Sequence, residues 1–341
     1  MRINNIKIIL KRVYRWLDNV LFLFFYKTHL VSIYYFLRSD FRREMNAVAA
    51  GRVLHEKLVD DLSINYNLRR NIHRVEKGLS SIPRRDIFGL DYITQTVDLY
   101  CKIRSTDKVI TNEIQWASDV LLEYFNTVTL PIHLKASKAR YLKASLPNDN
   151  KIPFSKEIKK LPGINFESFL SLAEYRCSIR SFKETHVSKD LIDNAILAAM
   201  KSPSACNRHP IRFEIIQEEG LLSKCVELPM GVATFKDRIV TMVAVIGRQR
   251  AYTEVRDRHV IYVDGGLASM TFMYALEVQG VSSCPINWPD IATREHQASK
   301  ILQLADDEKI IMWLAVGYAA KEALTPYSAK LELELARNWR D

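Results

Sequence analysis

The chain has 341 residues, 48% hydrophobic and 26% charged, which is globular composition with material for one large domain or two smaller ones. A formal charge of +10 favours anionic partners (phosphates, nucleic acid or an acidic membrane surface) without choosing among them. Five dispersed cysteines, Cys101, Cys177, Cys206, Cys225 and Cys284, form no Cys-x-x-Cys pair or Cys/His cluster. That argues against a zinc site and for a reducing compartment, and no stretch reads as a secretory signal.

Residues 1–45 are a basic, aromatic segment. Arg2, Lys7, Lys11, Arg12, Arg15, Lys27, Arg38, Arg42 and Arg43 face only Asp18 and Asp40. The run Trp16 to Leu37 is long enough to span a bilayer. Each Leu, Ile, Phe or Val contributes about −0.3 to −0.6 kcal/mol on insertion, whereas a central Lys costs about +2.5 to +3.5 kcal/mol. With Lys27 and His29 near the middle, the balance is close to zero. An interfacial helix keeps its bases wet while the aromatics enter the headgroup zone, each base adding about 1 kcal/mol beside an anionic leaflet. Three readings stay open: a helix on the inner face of the membrane, holding a cytoplasmic protein peripherally; a helix packed on the protein's own body; and a true span.

Residues 46–145 read as a helical extension. Met45, Val48, Val53, Leu54 and Leu58 recur at helical spacing, as do Ile110, Ile114, Val120, Leu121 and Phe125. Arg70, His73, Arg74 and Lys77 share one helical face, and Gly78 suits the C-cap. Beside Pro83-Arg84-Arg85 this face either grips an anion, such as a sugar phosphate, or is a solvated surface. Residues 146–165, with Pro147, Asn148, Asp149, Asn150, Pro153 and Pro162, read as a linker.

Residues 166–341 carry the chemistry. A short helix opens at Phe166 and ends near Arg176. Arg176, Ser178 and Arg180 then alternate, placing two guanidinium groups and a hydroxyl where a phosphate could be forked. Ser188 reads as an N-cap for a helix from Leu191 to Met200. That helix leads into Pro203-Ser204-Ala205-Cys206-Asn207-Arg208-His209-Pro210, a proline-bounded loop whose Asn207 offers donor and acceptor to the edge of a heterocycle. His209 can also donate, and brings titration with it. Strands are expected over Ile211–Gln217, Ile239–Ile246 and Lys309–Tyr318, and a long helix from Ile261 to Val278. Gly265-Gly266 is not a dinucleotide-binding fingerprint.

The pairing of Arg176-x-Ser178-x-Arg180 with Pro203-Ser204-x-x-Asn207-x-His209-Pro210 resembles the flavin-binding signature of the nitroreductase family. His209 stands where Gln is usual, and Ile211 where Trp is usual. The resemblance implies an α+β fold, a nitroreductase-like mixed central sheet flanked by helices, and a homodimer with FMN at the subunit interface. It implies that Arg176, Ser178 and Arg180 hold the FMN phosphate and ribityl tail. Pro203, Ser204, Asn207 and His209 would meet the ring. Pro285, Ile286 and Asn287 would pass main-chain amides near flavin N5, and Lys330 would close on the phosphate. NAD(P)H would be co-substrate and a small molecule the acceptor, with no catalytic side chain assigned. The residues before Phe166 resemble the extension on nitroreductase-like proteins associated with bacterial polysaccharide biosynthesis. Two rivals remain. One is a flavin-binding but idle scaffold in a membrane-associated polysaccharide-assembly complex. The other, nucleic-acid binding, is set aside because no such module appears and the charge excess sits at the N-terminus.

Overall fold

The computed structural model describes residues 2–38, 41–57, 65–106, 111–156 and 162–340. Seven helices come first: α1 (Arg2–Lys27), α2 (Val31–Arg38), α3 (Arg42–Lys57), α4 (Tyr66–Leu79), α5 (Ile93–Arg104), α6 (Asn112–Thr127) and α7 (Lys135–Ala144). Helices and strands then mix: α8 (Phe166–Tyr175), α9 (Lys189–Ala199), β1 (Ile211–Ile216), α10 (Glu219–Cys225), β2 (Thr241–Arg248), α11 (Val260–Glu277), β3 (Ser282–Ile286), α12 (Ala292–Leu302), β4 (Glu308–Gly317) and α13 (Leu333–Ala336). The class is α+β.

The sheet order is β1-β2-β4-β3, with every neighbouring pair antiparallel. The four strands are thus antiparallel where a mixed sheet was expected, and a parallel bridge from Ser178 to Ser283 of β3 stands apart from their pairing. Strand residues alternate between two cores, because successive side chains leave opposite faces of a pleated strand. Met242, Ala244 and Ile246 of β2 join Trp288, Trp313 and Ala298 of α12 on one side. Val243 and Val245 join Ile192, Ala195 and Ala199 of α9 and Phe272 and Leu276 of α11 on the other. Helices therefore cover both faces, which is why β2 reads as an unbroken apolar run.

A separate core fills the extension. Leu68, Ile72 and Val75 of α4 meet Val97 and Tyr100 of α5, Val120, Leu121 and Tyr124 of α6, and Tyr141 of α7. The buried tyrosine hydroxyls are satisfied: Tyr141 donates to the Ser118 carbonyl at 2.9 Å and Tyr124 to the Phe88 carbonyl at 2.7 Å. Gly78 does not cap α4; it lies inside the last turn, and Ser80 holds the cap position. A Cβ at residue 78 would come within 2.1 Å of the Phe88 ring, so packing rather than capping selects glycine there. The basic face of α4 is largely spoken for. His73 pairs with Glu76, and Arg74 lies 3.6 Å from the Tyr92 ring centroid and pairs with Asp91. Residues 146–156 are irregular but tethered, since Asp119 Oδ2 accepts the amides of Asp149 and Lys151 at 3.2 and 2.9 Å.

The extension docks on the sheet domain. Tyr66 packs with Ala251, Tyr252 and Ile261. His55 Nδ1 reaches the Arg250 carbonyl at 2.7 Å, and Arg43 pairs with the buried Glu295. No described helix is long and apolar enough to cross a membrane, which removes the spanning reading for these residues. Nor is α1 packed on the body: from Ile9 onward most of its large apolar side chains are exposed.

Gly51 of α3 marks the tightest point of this docking, where an added Cβ would stand 2.7 Å from the main-chain carbon of Gln249. Main chain cannot rotate away as a side-chain tip can. Gly51→Ala is expected to cost about 1–3 kcal/mol by overpacking, read as a lowered urea midpoint.

Candidate functional site

The candidate residues form two groups. The first gathers at the outer edge of β3. Arg176 follows α8 as its C-cap residue, and the chain then runs extended, with Ile179 donating its amide to the Ser283 carbonyl at 3.1 Å. This pairing brings Arg176, Ser178 and Arg180 beside Ser283 and Cys284. Burial pushes the Cys284 thiol up, and the charges of Arg180 and Arg176 partly offset it. Arg176 Nη1 and Ser283 Oγ are both buried without a hydrogen-bond partner. Buried donors left unpaired are costly, so a group that accepts hydrogen bonds would suit this corner, although the neighbouring Glu277 Oε2, an acceptor, is buried and unpaired as well. Glu277 lies nearby; burial raises its carboxyl, and Arg176 opposes the shift.

Pro285 on β3 and Asn287 just after it are exposed, whereas Ile286 is buried in the core opposite Trp313. Ile286 therefore has only main chain to offer, and Pro285 has no N–H. Lys330 lies in an exposed tail after β4. That tail starts beside the first group, where Ala320 donates its amide to the Ser181 carbonyl at 3.0 Å.

The second group is the loop between α9 and β1. Cys206, Asn207 and His209 all have φ near +52°, the left-handed region that side chains rarely adopt. Such residues cost on the order of 1–2 kcal/mol each unless their surroundings hold them. Here the surroundings do. Ala205 donates its amide to Asp264 at 3.2 Å, and His209 donates its own to Ser204 Oγ at 3.0 Å. Arg69, from α4 of the extension, donates from Nε to the Asn207 carbonyl at 2.9 Å. Asp264 is buried on α11 and also receives the Tyr252 hydroxyl. The Arg208 guanidinium lies 4.6 Å from the Tyr252 ring centroid.

His209 Nε2 donates to Asn207 Oδ1 at 2.6 Å, which leaves the Asn207 amide group free to donate elsewhere. Burial, helped by the charge of Arg69, lowers the His209 pKa from 6.5 to about 4. Its titration is thereby moved away from neutral pH, and the imidazole serves as a neutral donor, much as an amide would.

Pro203, Ser204, Asn207 and His209 open into a cavity of about 900 Å³, within the range of small-molecule sites. Trp116, Arg69 and Glu113 of the extension form one wall; Phe154, Ile211 and Phe213 add apolar surface. Arg69 pairs with Glu113 at 3.2 Å and lies 5.6 Å from the Trp116 ring centroid. None of these three was legible as a site residue, since nothing local in the sequence ties α4 or α6 to the loop. Ser283 was nearer to reach, standing two residues before the Pro285–Asn287 segment.

Within one chain the two groups do not converge. The loop ends where β1 begins, at Ile211, opposite Gly247 of β2, which is opposite Lys309 of β4. Ser283 lies opposite Val316 of β4. The groups are thus three strand spacings apart across the sheet, about 14 Å, and seven residues apart along it, about 23 Å. They occupy diagonal corners.

The chemistry of each corner fits one part of FMN: unpaired buried donors for the phosphate, and a roomy, partly apolar cavity with an amide edge for the ring.

Residues 173–239 and 233–318 match the model of the nitroreductase family. Among curated proteins, none matches the chain. Among solved structures, an FMN-dependent nitroreductase from Clostridium difficile is 17% identical, over 50% of this chain and 99% of its own, with a TM-score of 0.44. A nitroreductase family protein from Streptococcus pneumoniae is 18% identical, over 50% of this chain and 100% of its own, with a TM-score of 0.44. Another from Clostridium novyi is 17% identical, over 45% and 86%, with a TM-score of 0.41.

The shift at His209 has a consequence for stability. Its folded pKa lies below its unfolded value, so between about pH 6.5 and 4 the unfolded chain binds more protons. The stability tied to the neutral imidazole is complete above that window and is lost as pH falls through it. In His209→Gln this part of the acid slope is expected to vanish, as followed by urea denaturation across the window.

Proposed function

We propose that the protein is an FMN-dependent oxidoreductase that uses NAD(P)H and a small-molecule acceptor, a reading supported by the match of residues 173–239 and 233–318 to the nitroreductase family model. The observation that carries this reading is the buried, unpaired Nη1 of Arg176, on a segment paired to a strand whose Ser283 hydroxyl is also buried and unpaired.

Arg176, Ser178 and Arg180 would hold the phosphate, with Lys330 brought over it by the tail. Asn207 would donate its amide to the ring edge while His209 keeps the Asn207 oxygen engaged, and Pro203 and Ser204 shape the entrance. The main chain at the end of β3, Pro285–Asn287, would lie beside the ring system. When bound, the flavin supplies hydride transfer between reductant and acceptor. The chain's own contribution is to grip the phosphate with fixed charge, orient the ring edge and exclude water with the apolar wall of Trp116, Phe154 and Phe213.

The diagonal separation of the two corners supports a homodimer, since a second copy can set its loop against this copy's arginines. Unburied apolar surface supports it too. No residue of α8 is buried, and Phe166, Phe169 and Tyr175 are exposed, as are Val263 of α11 and Leu324, Tyr327 and Leu331 in the tail. A cytoplasmic location belongs to the same proposal, and five cysteines without a disulfide agree with it. The acceptor is drawn from quinones, nitroaromatics or metabolites of surface-polysaccharide assembly, and turnover with one of each class separates them.

Freshly purified protein is expected to be yellow, to release FMN by mass, and to bleach anaerobically with NADH or NADPH. A yellow protein that neither nucleotide bleaches would be the idle scaffold instead. Arg176→Ala is expected to weaken FMN binding by about 2–5 kcal/mol, the cost of removing a desolvated charge partner. Unchanged affinity, measured by flavin fluorescence titration, removes the phosphate assignment.

A further inference from the structure

The first two helices join none of the described cores. They close on each other instead. Asp18 Oδ1 accepts the Tyr34 hydroxyl at 2.8 Å, and Phe22 and Phe25 meet the Tyr34 ring at centroid distances of 5.4 and 6.1 Å. Residues 18, 22 and 25 share one side of α1, so α2 covers that side.

The other side stays open. Ile9, Val13, Trp16, Leu17, Val20 and Phe24 recur at helical spacing and are each between 48% and 64% exposed. They make one continuous stripe along about four turns. Exposed Arg12 borders it next to Ile9 and Trp16, exposed Arg15 lies further round the helix, and exposed Lys27 ends the helix. Ile33, Phe36 and Leu37 of α2 are exposed as well.

Charge selects what covers this stripe. The first 43 residues hold nine bases against two acids, so a second copy of the segment would be repelled. An anionic lipid surface has the complementary sign and accepts aromatic side chains at headgroup depth. The helix is not apolar enough to cross, and an amphipathic helix with bases at its margin lies in the plane instead.

We propose that α1 is an in-plane anchor, with the stripe from Ile9 to Phe24 seated at the boundary between headgroups and acyl chains of an anionic bilayer. Arg12 and Lys27 then face the phosphates. This goes beyond the flavin reading and does not depend on it.

The test uses the full chain and vesicles of phosphatidylcholine, with and without phosphatidylglycerol. The protein is expected to float with the anionic vesicles, and less so as salt rises. Brominated acyl chains should quench its emission, and Trp16→Phe should remove that quenching, which identifies the inserted residue without disturbing the fold. Val13→Glu with Leu17→Glu should lower vesicle partition about tenfold or more. Three results overturn the proposal: no flotation with anionic vesicles, equal flotation of the doubly charged variant, or lipid-free self-association that the same variant abolishes.

Discussion

The order of four strands governs where everything else can go. β4 is last in the sequence but lies between β2 and β3, and this insertion pushes β3 to the far edge from β1. The arginine-serine segment has its pairing partner at β3, and the polar loop has its exit at β1, so the sheet itself holds them apart. Both faces of that sheet are already filled by α9 and α11 on one side and by α10 and α12 on the other, which leaves its edges and corners as the places a ligand can reach.

The loop corner shows how an appended region becomes part of a site. Three non-glycine residues in left-handed conformation do not hold themselves. Asp264 anchors the loop from below, and Arg69 reaches its carbonyl from the side. Since Arg69 also lies over Trp116 and pairs with Glu113, the extension braces the loop and walls the adjoining cavity with the same residues. Its docking through Tyr66, His55 and Gly51 is what makes that bracing firm.

Much of this was readable from the chain. Alternation and β-branched runs located β1, β2 and β4 to within a few residues, and helical spacing located α3, α6, α8, α9 and α11. The arginine and asparagine elements stood out only as a pair at the right distance, since either one alone reads as an ordinary surface turn. Ser188 was placed correctly at the start of α9, though its side chain makes no capping bond. Other features were hidden for physical reasons. β3 contains Pro285 and two serines, which weaken any strand signal, and it is held at the edge by pairing on both sides near Ser283. Gly78 looked like a helix terminator because close packing against a ring leaves no trace in local sequence. The reach of Arg69 across 138 positions to Asn207 is a property of docking, not of either segment.

The diagonal placement of the corners has a genetic corollary. In the proposed dimer each complete site borrows one corner from each copy. A chain damaged at its arginines and a chain damaged at its loop, once paired, rebuild one intact site and concentrate both lesions in the other. Two alleles that are each null alone would then partly rescue one another when co-expressed, restoring at most half of the sites in every mixed pair.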